Sequence, residues 1–243
     1  MRFTLADAPF AGRTGRGVTV ALLDSGVHGD HPHVRGVRGG ASFLPGTDAT
    51  DFIDRVGHGT AVAAAIREKS PAVDLIAARI FDRQLATNVD VLVRAIQWAA
   101  DEGAQLINLS LGTTNPAHVE KLAPAVSYAA ERGSIVVSAR EWNGATWLPG
   151  SLSGVVGVVA DADLDRDEID VTVTGGELPQ FKAAPFPRPI PNVPRERNLS
   201  GVSFAVANVT GFLARATEAC GDPFSAARLG EMKRGSSRTE NRL

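Results

Sequence analysis

The sequence predicts an α/β fold of three layers, a mostly parallel sheet with helices on both faces. Three observations carry that expectation. Short, almost continuously apolar runs recur along the chain, as strands buried on both faces require. Helical stripes separate several of them, the alternation expected of a covered parallel sheet. Glycines stand where the helices should stop.

The first strand is expected at 18–23, between Gly17 and Asp24-Ser25-Gly26. An Ala-rich helix is expected at 59–67 and a strand at 75–80. Residues 88–103 place Val89, Leu92, Val93, Ile96 and Ala100 on one stripe, with Gly103 at its C-terminal end. A strand at 106–111, a helix at 116–132 stopped by Gly133, and strands at 135–139 and 155–160 follow. Residues 161–178 turn acidic and then alternate Val and Thr at 171–174, the pattern of a hairpin or edge strand. Six of the 14 prolines fall between Pro179 and Pro194. Only 49 residues come after Pro194, and they begin with a buried helix at 204–216. The proline-rich stretch, 179–197, is therefore expected to be an ordered surface loop of one domain spanning 1–243, with a frayed polar tail at 233–243.

Composition narrows the function classes. At 243 residues and 44% hydrophobic, the chain can bury a core without a disulfide or a metal. The single cysteine, Cys220, excludes an internal disulfide and fits a reducing compartment. Twenty-five basic against 27 acidic residues remove the electrostatic footprint of a nucleic-acid binder. No apolar run approaches the roughly 18 residues of a membrane span. The first 17 residues contain no signal-peptide core. A cytoplasmic protein with neither a membrane nor a nucleic-acid partner is expected; oligomeric state is not encoded in these features.

Three segments carry chemistry. Asp24 follows the first buried strand, at the strand end where open α/β sheets build their sites. Gly57-His58-Gly59-Thr60 opens the Ala-rich helix, and Gly201-Val202-Ser203-Phe204-Ala205 opens the last buried one. Each alone reads as a cap or a solvated polar group. Together, the chain order Asp, His, Ser is that of one known catalytic triad arrangement.

On these motifs the chain resembles the subtilisin-like serine peptidases. The resemblance runs from about residue 15 to 216. It includes Leu22-Leu23-Asp24-Ser25-Gly26-Val27, His31-Pro32, Gly57-His58-Gly59-Thr60, Ile107-Asn108-Leu109-Ser110-Leu111-Gly112 and the Ser203 segment. It implies a subtilisin-like fold and peptide-bond cleavage without a cofactor. Ser203 would be the nucleophile, His58 the general base and then acid, and Asp24 the residue that fixes its tautomer. Ser110, Leu111 and Gly112 would pair with an extended peptide or protein substrate. The backbone N–H of Ser203 would face the developing oxyanion.

The chain departs from the family pattern after the strand at 135–139. Where the family has an Asn that donates to the oxyanion, an ungapped register offers Glu141 or Trp142; one extra residue puts Asn143 there, the register favoured. Trp147 falls where the family floors its specificity pocket, either as core packing or as a plug that excludes large side chains. Ala139, Arg140 and Glu141 stand on the opposing wall, so a charged preference is the third option. His28, His31 and His33 crowd one loop, but no further Cys or His cluster accompanies them, so no metal site is assigned. The expectation is a narrow-specificity intracellular endopeptidase processing a precursor peptide. Its competitors are a catalytically impaired peptide-binding relative and a peptide ligase using the same acyl-enzyme. A nucleotide-binding protein is disfavoured because both glycine-rich phosphate-loop patterns are missing.

Overall fold

The computed structural model describes residues 1–83, 86–173 and 178–229. The expected tail at 233–243 lies outside them, as does part of the expected Val/Thr strand. In chain order the elements are β1 (Arg2–Thr4), β2 (Thr19–Asp24), β3 (Gly39–Ser42), α1 (His58–Lys69), β4 (Asp74–Arg79), α2 (Val89–Asp101) and β5 (Leu106–Leu109). Then come α3 (Val119–Glu131), β6 (Ile135–Trp142), β7 (Ala145–Thr146), β8 (Val155–Ala160), β9 (Glu168–Thr172), β10 (Gln180–Ala183), α4 (Val202–Cys220) and α5 (Pro223–Ala227).

One sheet runs β1-β9-β10-β8-β6-β5-β2-β4-β3, with β7 hairpinned onto β6. From β10 to β3 every neighbouring pair is parallel, while β9 and β1 complete one edge antiparallel. Alternation along β2 divides the core into two layers. Val20 and Leu22 face α1 and α4; Ala21 and Leu23 face α2 and α3. All six residues of β2 are buried, which is why the strand reads as a continuous apolar run.

Several expected boundaries move for identifiable reasons. Strand β5 ends at Leu109, so Ser110 to Gly112 continue beyond the sheet. Strand β6 runs on to Trp142 through a bulge at Arg140, because residues 141–146 fold back as a hairpin. The helix expected at 116–132 opens as a 3₁₀ turn, Pro116–His118, before α3. Helix α4 has 19 residues and begins at Val202. Strand β9 does lie near the sheet edge, and β1 outside it is held by the Met1 ammonium on Asp170 at 2.7 Å.

Of the stretch expected as a surface loop, 180–183 is instead strand β10, inside the sheet between β9 and β8 with Phe181 and Ala183 buried; the residues after it run over the body with fixed attachments. Gly201 N–H donates to the Pro185 carbonyl at 3.0 Å and the Asn198 amide to the Arg188 carbonyl at 3.0 Å. The Arg195 guanidinium lies 4.5 Å from the centre of the Phe186 ring. No described helix is long and apolar enough to cross a membrane.

Candidate active site

Strand β2 delivers Asp24 to the C-terminal edge of the sheet, where it is fully buried. Helix α1 begins one residue beyond Gly57 and presents His58 from its first turn. The two meet because residue 59 lacks a side chain. A Cβ there would stand 2.1 Å from the Gly26 carbonyl oxygen and 3.0 Å from Asp24 Oδ1. Gly59 thus sets the approach of the helix to the strand end, and His58 Nδ1 lies 2.8 Å from Asp24 Oδ1. The same carboxylate oxygen accepts from the Ser25 N–H at 2.7 Å.

Asp54, outside the motifs, organises the surroundings of His58. It is buried, and its Oδ1 accepts from Ser25 Oγ at 2.9 Å and from the N–H groups of Val56 and Gly57 at 2.8 Å each. Its Oδ2 accepts from Thr60 N–H at 2.9 Å and Thr60 Oγ1 at 2.6 Å. Ser25 Oγ in turn accepts from Gly59 N–H at 3.0 Å. One carboxylate therefore ties the turn after β2, the loop before α1 and the first turn of α1 into a single frame around His58. A carboxylate four residues ahead of His58 is the available signal.

The electrostatics follow from this frame. Burial opposes the imidazolium of His58, but the Asp24 hydrogen bond and the charges of Asp24 and Asp54 outweigh it and raise its pKa above 6.5. Burial likewise opposes the charge on Asp54, yet the bonds from Thr60, Gly57 and Val56 hold its carboxyl below the ordinary value. The His58 ring is flanked by Phe204 and Phe81, with ring centres 5.8 and 6.3 Å away. The Phe204 contact brings His58 to the head of α4.

Ser203 is the second residue of α4, so its N–H has no intrahelical acceptor. Its Oγ donates to the Ser110 carbonyl at 3.0 Å, and no hydrogen bond joins it to His58 in this conformation. A buried chain of hydrogen bonds supports that contact. Thr210 Oγ1 donates to Asn108 Oδ1 at 2.9 Å, and Asn108 Nδ2 donates to Ser110 Oγ at 2.8 Å. The edge at Ser110 is thereby fastened to the helix that carries Ser203.

The remaining expected site residues divide. Leu111, Gly112 and Trp147 line one cavity of about 360 Å³, together with residues at the start of α2 and His118. Trp147 lies flush against Gly112, where a Cβ would come 2.9 Å from its Cε3. Arg140 is half-buried at the bulge, and Glu141 is exposed opposite Thr146. Ala139 is fully buried with its methyl in the core, so its side chain offers no surface to a substrate. Asn143, with φ of 52°, and Gly144, with φ of 76°, close the β6–β7 hairpin as a left-handed pair. That is the Asn-Gly signature of a type I′ turn. Asn143 is exposed and its amide makes no hydrogen bond among the described residues. The turn accounts for this Asn-Gly pair, so the register that singled out Asn143 as an oxyanion donor loses its support. Among the described residues no group of three or more His, Cys, Asp or Glu side chains is arranged to hold a metal ion.

Comparison with known proteins places this geometry. The subtilase family model matches residues 15–141, just over half of the chain, and stops short of Ser203. Subtilisin Savinase of Lederbergia lenta is 37% identical over 143 residues, covering 55% of this chain and 51% of that protein. A thermostable alkaline protease of Halalkalibacterium halodurans is 30% identical over 211 residues, covering 82% of this chain and 56% of that protein. The chain thus spans about half the length of these curated relatives. The crystal structure of a lanthipeptide protease superposes with a TM-score of 0.67 at 18% identity, over 88% of this chain and 79% of that one, a likeness of fold. The chain belongs to the subtilase family.

Proposed function

We propose that the protein is a serine endopeptidase that cleaves an extended peptide through Asp24, His58 and Ser203. The observation that carries this is the 2.8 Å contact between buried Asp24 and His58, held beside the helix whose second residue is Ser203. Asp24 keeps the Nδ1 proton in place, which leaves Nε2 as the base. The Ser203 hydroxyl, now donating to the Ser110 carbonyl, must leave that partner to donate to Nε2. A substrate strand pairing along Ser110 to Gly112 takes up that carbonyl through its own N–H and releases the hydroxyl.

Attack of Oγ on the scissile carbon passes the hydroxyl proton to His58, and the oxyanion forms against the free N–H of Ser203. His58 then protonates the leaving amine, whose bond to carbon breaks to leave an ester on Ser203. Water, deprotonated by the same imidazole, hydrolyses the ester. Trp147 against Gly112 makes the acyl-side pocket shallow and favours small side chains before the scissile bond. The proline-rich wall beside α1 supports narrow specificity, and the fold shared with a lanthipeptide protease supports a precursor peptide as the substrate class. Cytoplasmic action belongs to the same reading and rests on the single cysteine.

The test is a proteome-derived peptide library treated with wild type and with Ser203→Ala. New peptide ends in the wild-type digest alone, preceded mainly by Ala, Ser or Gly, are expected. Digests that match each other would refute peptidase action by Ser203.

A further inference from the structure

A second cavity of about 560 Å³ lies beside the loop and first turn that carry His58. Its walls come from the loop after β2, from one face of α1 and from the proline-rich stretch. None of Ser110, Leu111, Gly112 or Trp147 lines it. If the acyl half of a substrate occupies the Ser110–Gly112 segment, the half that leaves with the new amine must depart past His58, toward this cavity. Gly57 and Thr60, which flank His58, belong to its lining. So does Leu199, four residues before Ser203 and thus within roughly 14 Å of it along the chain.

The lining has two chemical characters. Ala61, Ala64, Ile190 and Leu199 are apolar, and Ile190 and Leu199 are 50% and 54% exposed with nothing packed over them. His28, His31 and His33 supply ring N–H donors, and Arg188 supplies donors and a positive charge. The one carboxylate in the lining, Asp54, is occupied by the five hydrogen bonds that frame His58. Glu68 behind the wall stands 3.7 Å from Arg188 and also holds Lys69 and Arg166, while Asp167 takes Lys69 as well, so Arg188 is the cation in the lining that can meet a further carboxylate. Burial, Arg188 and His31 together hold the pKa of His33 below 6.5, and Arg35 adds to them against Glu68.

We infer that this cavity is a specificity pocket for a glutamate within the first three residues after the scissile bond. The aliphatic stem of such a residue fits the apolar walls, and its carboxylate meets Arg188 and the histidines. The inference rests on the peptidase reading for which side of the cut the residue occupies, but binding can be read without catalysis.

The experiment therefore has two arms. In the first, fluorescent peptides carrying Glu, Gln or Lys at the first, second or third position after the cut, one position at a time, are titrated against Ser203→Ala by polarisation. At one of these positions Glu should bind about tenfold more tightly than Gln, with Lys weakest. Arg188→Gln should erase the Glu/Gln difference, and Arg188→Glu should reverse the Glu/Lys order, a switch that misfolding cannot produce. In the second arm, wild type cleaves the same peptides. Equal binding of Glu and Gln peptides at all three positions, or a preference untouched by Arg188→Glu, overturns the pocket. Selective binding without any cleavage upholds the pocket and refutes the peptidase reading.

Discussion

Replacing Asp54 by Asn isolates the frame around His58 from the triad itself. The carboxylate accepts five hydrogen bonds in a buried position, three on one oxygen and two on the other. An Asn side chain can keep its oxygen toward Ser25, Val56 and Gly57, which turns its NH₂ toward Thr60. The Thr60 hydroxyl can rotate to accept, but the Thr60 N–H is left facing a donor. One orphaned buried N–H costs about 1–3 kcal/mol, and loss of the charge weakens the other bonds, so destabilisation of about 2–4 kcal/mol is expected. Urea unfolding of Asp54→Asn in a Ser203→Ala background, where self-digestion cannot intrude, reads that difference. Kinetics supply an independent signature. Asp54 is one of the charges that raise the His58 pKa, so its removal lowers that pKa. The base form of His58 is then present at lower pH, and the acid limb of kcat/KM moves down. Stability carries the matching sign. A His whose folded pKa is raised contributes most below its unfolded value near 6.5 and loses that contribution as pH rises through the folded value. The part of this stabilisation that depends on Asp54 should vanish from the variant. A variant within 0.5 kcal/mol of its parent, with an unmoved acid limb, would refute the assignment.

Three further substitutions test neighbouring parts of the account. Gly59→Ala puts a methyl 2.1 Å from the Gly26 carbonyl oxygen; it should cost about 1–3 kcal/mol of stability and, by displacing His58 from Asp24, on the order of 10²-fold in kcat. A variant with wild-type kcat would show that the close approach is not what positions the imidazole. Asn143→Gly preserves the left-handed turn while removing the amide, so kcat should stay within about tenfold of wild type; a fall of about 10²–10³-fold would restore Asn143 as an oxyanion donor. Trp147→Gly should raise kcat/KM for Phe or Leu before the scissile bond by at least about tenfold relative to Ala, and an unchanged ratio would mean the ring does not floor the pocket.

The parts legible in the sequence were those in which local pattern and tertiary role coincide. Strand β2 reads as apolar throughout because both faces are covered, and Asp24 stands out because a charge ends that run. Asn88 caps α2 through the Val91 N–H at 2.9 Å, so that start lay close to the pattern. Strands β1 and β3 were missed because they have three and four residues, the second opening with two glycines. Pattern cannot show that Gly40 is required by the Ala77 carbonyl oxygen, 2.3 Å from where its Cβ would stand. Asn143 has a second explanation in the left-handed hairpin turn it closes with Gly144, and turn geometry does not appear in an alignment register. Asp54 went unread because its partners come from three segments, and the cavity walled by Arg188 and His33 depends on bringing together regions about 150 residues apart.

The central claim is that Asp24 and His58 activate Ser203. Its most direct test is labelling with an active-site-directed fluorophosphonate, followed by intact mass and peptide mapping. Wild type should gain one adduct, located on Ser203, and His58→Ala should slow the labelling by about 10³-fold or more. Adducts spread over other serines, or a rate at Ser203 that does not depend on His58, would contradict it.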